Sequence, residues 1–220
     1  VPRIYRNLSP EESINNTEPA FDHLVHMLTV DDELTVDGES IEDAQIDVFE
    51  TERVNQFEGE DKLDAVLRMN EDYLKRDVSD GFPLLPATRL AVDELLNGTS
   101  LPPDHVVCDM PPGFGIATVE KIAVNAAMAG AKPEHMPVVI GAVKALSQIG
   151  SDGGKSLLMS TSPHAPLLVV NGPIASELDI NSKSALGPGF DNRINITVGR
   201  AFSMCLRNIG QWYPNKMDMD

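Results

Sequence analysis

Of the 34 acidic residues in this chain, 22 fall in its first 80 positions, where only 7 basic residues answer them, a local balance of −15. Positions 81–220 carry 12 acids and 10 bases, a balance of −2. Unbalanced charge works against collapse, so the two stretches cannot contribute equally to one core. The first, with Asp31-Asp32-Glu33, Glu42-Asp43 and Glu58-Gly59-Glu60-Asp61 breaking up short apolar runs, is expected to be an extended acidic arm or cover over 1–76. The second, 77–220, is expected to hold the main domain. At 220 residues the chain can bury a core without disulfides, and a formal charge of −17 excludes a general binder of nucleic acid or anionic lipid. Only Cys108 and Cys205 are present, far apart, which removes a disulfide framework and a cysteine-rich zinc module and fits a reducing, cytoplasmic setting. No apolar run approaches the roughly 20 residues of a membrane span, and the first residues lack a signal-peptide core. With no initiator Met, the chain is expected to be trimmed or processed.

Periodicity and punctuation supply the elements. Within the arm only 61–76 is firmly helical, with Leu63, Val66, Leu67, Met69, Asn70 and Leu74 at three-to-four spacing and Asp80-Gly81-Phe82-Pro83 as turn chemistry behind it. Thr88 is placed to N-cap a short helix that Gly98 closes as a left-handed residue. Thr118, with Glu120 in the first turn and Gly130 at the end, frames a helix over 118–130 whose alanines at 123, 126, 127 and 129 permit close approach of another element. Pro133 opens a second helix running to 149, so the two form an αα-hairpin. Pro166-Leu167-Leu168-Val169-Val170, bounded by Asn171-Gly172-Pro173, predicts a buried strand. A last helix is expected over 196–209, entered from Asn192 or Asn195 and closed by Gly210. The fold class is α/β or α+β, helices packed on a small sheet.

Four loops hold most of the glycine, proline and small polar residues, and three open onto helix N-termini, whose free N–H groups and partial positive charge suit a carboxylate or phosphate. Ordinary helix capping explains the same residues. None of the loops carries a nucleotide-binding fingerprint, so the cofactor is unknown. The loop 187–200 is the strongest candidate: Gly187, Gly189, Asn192, Arg193, Asn195 and Arg200 gather donors and two guanidinium forks that match a carboxylate. Asn171 and Gly172, with Thr161, are further candidates for holding substrate. Lys121 and Asn125 share a helix face, and His164 sits on the loop feeding the strand, so these three are the candidate catalytic groups. Against each stands a structural alternative: a capping asparagine, a solvated arginine, a buried amide bonded to backbone, a surface histidine. His105 with Cys108, and His23 with His26, lack a third ligand at a clear spacing, so no metal site is assigned.

Ala117-Thr118-Val119-Glu120-Lys121-Ile122-Ala123-Val124-Asn125-Ala126-Ala127-Met128-Ala129-Gly130-Ala131-Lys132-Pro133-Glu134-His135-Met136-Pro137-Val138-Val139 resembles a stretch of bacterial proteins linked to the UGSC-type selenoprotein family, whose motif is selenocysteine-Gly-Ser-Cys. Asp80-Gly81-Phe82-Pro83-Leu84-Leu85-Pro86, Ala165–Ile174 and Ala185–Ala201 resemble its other blocks, in the same order. The resemblance covers about 77–211, and residues 1–76 match nothing in it. The motif itself is missing here, so the resemblance implies that a thiol or selenol group comes from another chain or has been lost. It also implies a longer or processed polypeptide and an enzyme system.

Taken together, the expectation is a subunit of a cytoplasmic enzyme, lyase- or hydrolase-like, that binds a small anionic organic substrate and cleaves or rearranges a carbon–heteroatom bond, with a partner chain completing the site in a homo- or hetero-oligomer. The alternative is a noncatalytic binding or assembly subunit of a multi-subunit complex. The two separate on one point: Asn125, His164, Asn171 and Arg193 converge on one pocket in the enzyme and are dispersed in the assembly subunit. Apolar knots in the arm, such as Phe21-Leu24-Val25-Met27-Leu28, are expected to be covered by a partner or a second copy.

Overall fold

Thr118 shows how tightly this sequence is cut: it is the last residue of a strand and the N-cap of the next helix, its Oγ1 accepting the Lys121 N–H at 3.3 Å. The computed structural model describes residues 54–149, 158, 165–183, 187 and 189–213, and the backbone of 35–36 and 39–40. The chain divides into two units, Val1–Asn55 and Gln56–Asp220. In the first, β1 (Thr35–Val36) pairs antiparallel with β2 (Glu39–Ser40).

The second unit begins with α1 (Lys62–Lys75), where the Asp61 side chain accepts the Asp64 N–H and the Asp64 carboxylate reaches back to the Glu60 N–H, both at 2.9 Å. This helix lies on the arm side of the boundary expected at 76/77, yet it buries Met69 with Leu84, Met128 and Met204 of the second unit. Asn70 fixes the loop that follows, its Oδ1 accepting the Leu84 N–H at 2.6 Å while its Nδ2 donates to the Leu84 carbonyl at 3.2 Å. Then come α2 (Arg89–Leu96), capped by Thr88, and the antiparallel pair β3 (Val106–Met110) and β4 (Gly115–Thr118). The long helices are α3 (Val119–Met128), α4 (Met136–Gln148), reached through a 3₁₀ turn at Pro133–His135, and α6 (Arg193–Asn208), reached through a 3₁₀ turn at Phe190–Asn192; the short α5 (Pro173–Glu177) lies between the last two.

The alanines of α3 do what their size allows. Ala123 and Ala126 are fully buried, and α6 packs along this face more extensively than any other pair of elements. Val139 and Val143 of α4 with Ala201, Cys205 and Leu206 of α6 close a core that also takes Met110 from β3. Each fully buried Leu, Val or Met here contributes about 1.5–3 kcal/mol. The only sheet of the second unit among the described residues is this antiparallel pair, so the architecture is α+β, and the α/β form fails for want of a parallel sheet. No helix among the described residues is long and apolar enough to cross a membrane.

Three local expectations need correction. Residues 165–171 are neither strand nor helix, and Leu167 and Val169 are largely exposed, because no second strand lies beside them among the described residues. Gly98 and Gly210 do not close their helices in the left-handed region. Gly98 is required instead because a Cβ there would run into the Pro133 carbonyl oxygen, and at Gly210 one would meet backbone oxygens of Pro111 and Leu206. Gly130, at φ +79°, is the helix-closing glycine the pattern predicts. Finally, α6 starts at Arg193, three residues earlier than expected, because the 3₁₀ turn feeds straight into it.

Candidate functional site

The loop before α6 is built around a residue that the sequence does not flag, Asn181. Asn195 clamps its backbone, Oδ1 accepting the Asn181 N–H at 2.9 Å and Nδ2 donating to the Asn181 carbonyl at 2.8 Å. The Asn181 side chain donates from Nδ2 to buried Asn192 and accepts the Lys183 N–H at 3.0 Å. Gly189, at φ +142°, lets the chain turn into the 3₁₀ step, while exposed Gly187 lies against Ile196. The two expected substrate amides thus bond the preceding loop. Arg193, the first residue of α6, is exposed and makes no hydrogen bond or ion pair with a described residue.

Arg200 is committed elsewhere. Its Nε and Nη2 grip the two Asp80 oxygens at 2.7 and 2.8 Å, and Nη2 also donates to the carbonyls of Phe82 (3.1 Å) and Pro83 (3.0 Å). Both side chains are only 19% exposed. Burial alone pushes the Asp80 carboxyl up, but the Arg200 hydrogen bond and charge, with the Phe82 N–H, outweigh it and hold the group below the usual carboxylate range. Arg193 and Arg200 therefore do not converge: one faces water and the other ties α6 to the 80–83 loop.

Lys121 and Asn125 part in the same way. Lys121 is exposed and its Nζ donates to the Ile116 carbonyl of β4 at 2.9 Å. Asn125 is 4% exposed, donates from Nδ2 to the Lys121 carbonyl at 2.9 Å and accepts from Asn208 Nδ2 at 2.7 Å. It is a satisfied amide between α3 and α6. Asn171 and Gly172 are exposed on the turn entering α5, with Gly172 at φ +89°. Thr161 and His164 lie outside the described residues, as do the apolar knots of the arm.

Sequence reasoning also passed over His135, which is 2% exposed at the head of α4. Its Nδ1 accepts the Lys132 N–H at 3.1 Å, which leaves the ring proton of the neutral form on Nε2. Burial lowers its pKa, with help from the charges of Lys132 and Arg193 and against that of Glu134, so the ring is neutral at pH 7. The pattern Lys132-Pro133-Glu134-His135 resembles any helix entry, and only burial distinguishes this histidine.

A cleft of about 180 Å³ lies between α2 and the α3–α4 turn, with Leu85, Leu95, Ala127 and Ala131 as its wall and Glu94 and Lys132 among its lining residues. None of the expected site residues lines it. Cys205 is fully buried and its thiol pushed up by burial; Cys108, half-buried, is shifted the same way for the same reason, so neither is a ready nucleophile. Among the described residues no three His, Cys, Asp or Glu side chains are grouped to hold a metal ion. Compared with known proteins, the chain matches no family model, no curated protein and no solved structure.

Proposed function

We propose that this chain acts as a binding and assembly subunit of a larger complex rather than as a self-contained enzyme. The observation that carries the reading is where the polar and apolar groups have gone. Asn125, Asn192, Asn195 and Arg200 are paired inside the chain, while large apolar side chains stand in water: Leu90 is 80% exposed and Phe82 69%. A chain of net charge −17 that still leaves such residues outside has surfaces suited to apolar partners. The acidic arm fits the same role as a cover for a partner.

The second reading, a subunit of a lyase- or hydrolase-like enzyme with a small anionic substrate and a thiol- or selenol-bearing partner, is favoured by Arg193. That guanidinium is exposed and uncommitted, and its charge reaches buried His135. Substitution within the native complex separates the two. If the chain only assembles, Arg193→Ala and Lys121→Ala leave any turnover of the complex within about twofold, whereas Phe82→Ser with Leu90→Ser releases the chain from it. Loss of turnover in Arg193→Ala, with the subunit still bound, overturns the assembly reading.

A further inference from the structure

We propose that residues 166–170 form a docking strand through which a second copy of this chain adds by antiparallel pairing. The proposal rests on the assembly reading above and names the surface and the partner. Leu168 and Val170 are half-buried and pack against the core, while Leu167 is 73% and Val169 78% exposed. Alternation with a period of two is the burial pattern of a strand. Yet no hydrogen bond joins the backbone of 165–170 to any described residue. A β-branched, apolar segment seated on a core with its ladder unmade is a template for another strand.

Charge decides which strand. Two copies each carrying −17 repel unless they meet where charge is absent, and Ser156–Ser176 is the longest run in the chain without Asp, Glu, Lys or Arg, 21 residues. Pro166–Val170 lies inside it. A basic partner would find no complementary charge on this segment, whereas a second copy presents the apolar, uncharged strand that the segment needs. A two-fold axis then satisfies both copies at once.

Register follows from the faces. Opposed residues of an antiparallel pair project to the same side, so an exposed residue must meet an exposed residue. Centring the axis on Leu168 sets Leu167 of each copy opposite Val169 of the other and Pro166 opposite Val170. Proline, which has no N–H to donate, then falls at the end of the ladder, where it is tolerated.

Light scattering on the full chain across a concentration series tests this. The expected mass doubles from 23.9 kDa as concentration rises. Leu167→Glu with Val169→Glu sets like charges opposite each other and is expected to return the monomer, while Leu167→Lys with Val169→Glu sets opposite charges across the axis and is expected to restore the dimer. Both residues are exposed, so unchanged melting shows that the fold is kept. A wild type that stays at 23.9 kDa at every concentration overturns the second copy as partner. A dimer indifferent to the double-Glu variant overturns the strand, and one lost there but not restored by the Lys/Glu variant overturns the register. None of these results bears on the assembly reading, which falls only on the turnover of the native complex.

Discussion

Removing the Arg200 guanidinium should cost this fold far more than its position on an amphipathic helix suggests. In Arg200→Ala, two charge-assisted bonds to Asp80 and two bonds to the Phe82 and Pro83 carbonyls vanish together, and the Asp80 carboxylate keeps only the Phe82 N–H at 3.3 Å. Breaking a fully buried pair costs about 3–5 kcal/mol, but at 19% exposure on both sides water re-enters and repays part of the loss. A decrease of about 2–3 kcal/mol follows. For a chain of this size that lowers Tm by roughly 5–10 °C, measured by differential scanning calorimetry at pH 7. Arg200→Lys restores a point charge without the fork and should recover less than half. pH supplies an independent check on the same pair. A carboxyl whose pKa is depressed in the folded state contributes stability that is complete above the unfolded value near 3.9 and lost as pH falls through the folded one, so wild type should lose this increment below about pH 4. Asp80→Asn should lack that part of the slope. A change in Tm of under about 2 °C for Arg200→Ala, or no difference in acid slope for Asp80→Asn, refutes the structural role.

Arg193→Ala, by contrast, should leave stability within about 0.5 kcal/mol in urea denaturation, since the side chain is exposed and bonds no described residue. Asn125→Ala strips a donor–acceptor pair from the α3–α6 contact and orphans Asn208 Nδ2, for a loss of about 1–3 kcal/mol by the same measurement. Gly98→Ala forces the Pro133 carbonyl aside and should destabilise by about 1–3 kcal/mol, although alanine is the better helix former. His135, buried neutral, has its folded pKa below the unfolded value near 6.5, so stability is full above that pH and declines as pH falls through it; His135→Gln should flatten the curve between about pH 6.5 and 5.

The helices were legible because local chemistry fixes them. Thr88 and Thr118 cap the helices that the sequence assigns to them, and Gly130 ends α3 in the left-handed region. What was illegible depends on neighbours distant in sequence. Gly98 is glycine because of Pro133, a contact made across the α3 helix rather than within a turn. The 166–170 segment carries every local mark of a strand, yet a strand also needs a neighbour, and composition cannot say whether one is present.

The site shows the same limit more sharply. Two asparagines, two arginines and a Gly-Pro-Gly loop over 187–200 look like a ligand cradle, and in sequence nothing distinguishes a group that waits for a carboxylate from one that has already found its partner. Arg200 meets Asp80 across 120 residues, Asn208 meets Asn125 across 83, and Arg207 donates to the Asp77 carbonyl across 130. Along α6 these polar side chains tie the helix in turn to the 181 loop, the 80–83 loop, the end of α1 and α3. A helix that must hold four separate segments needs donors at irregular intervals, which is why its polar residues follow no ligand-binding spacing. Arg193 is the exception among them. It stands at the end of the row with no described segment to hold, and any ligand or partner chemistry at this end of the helix must begin with it.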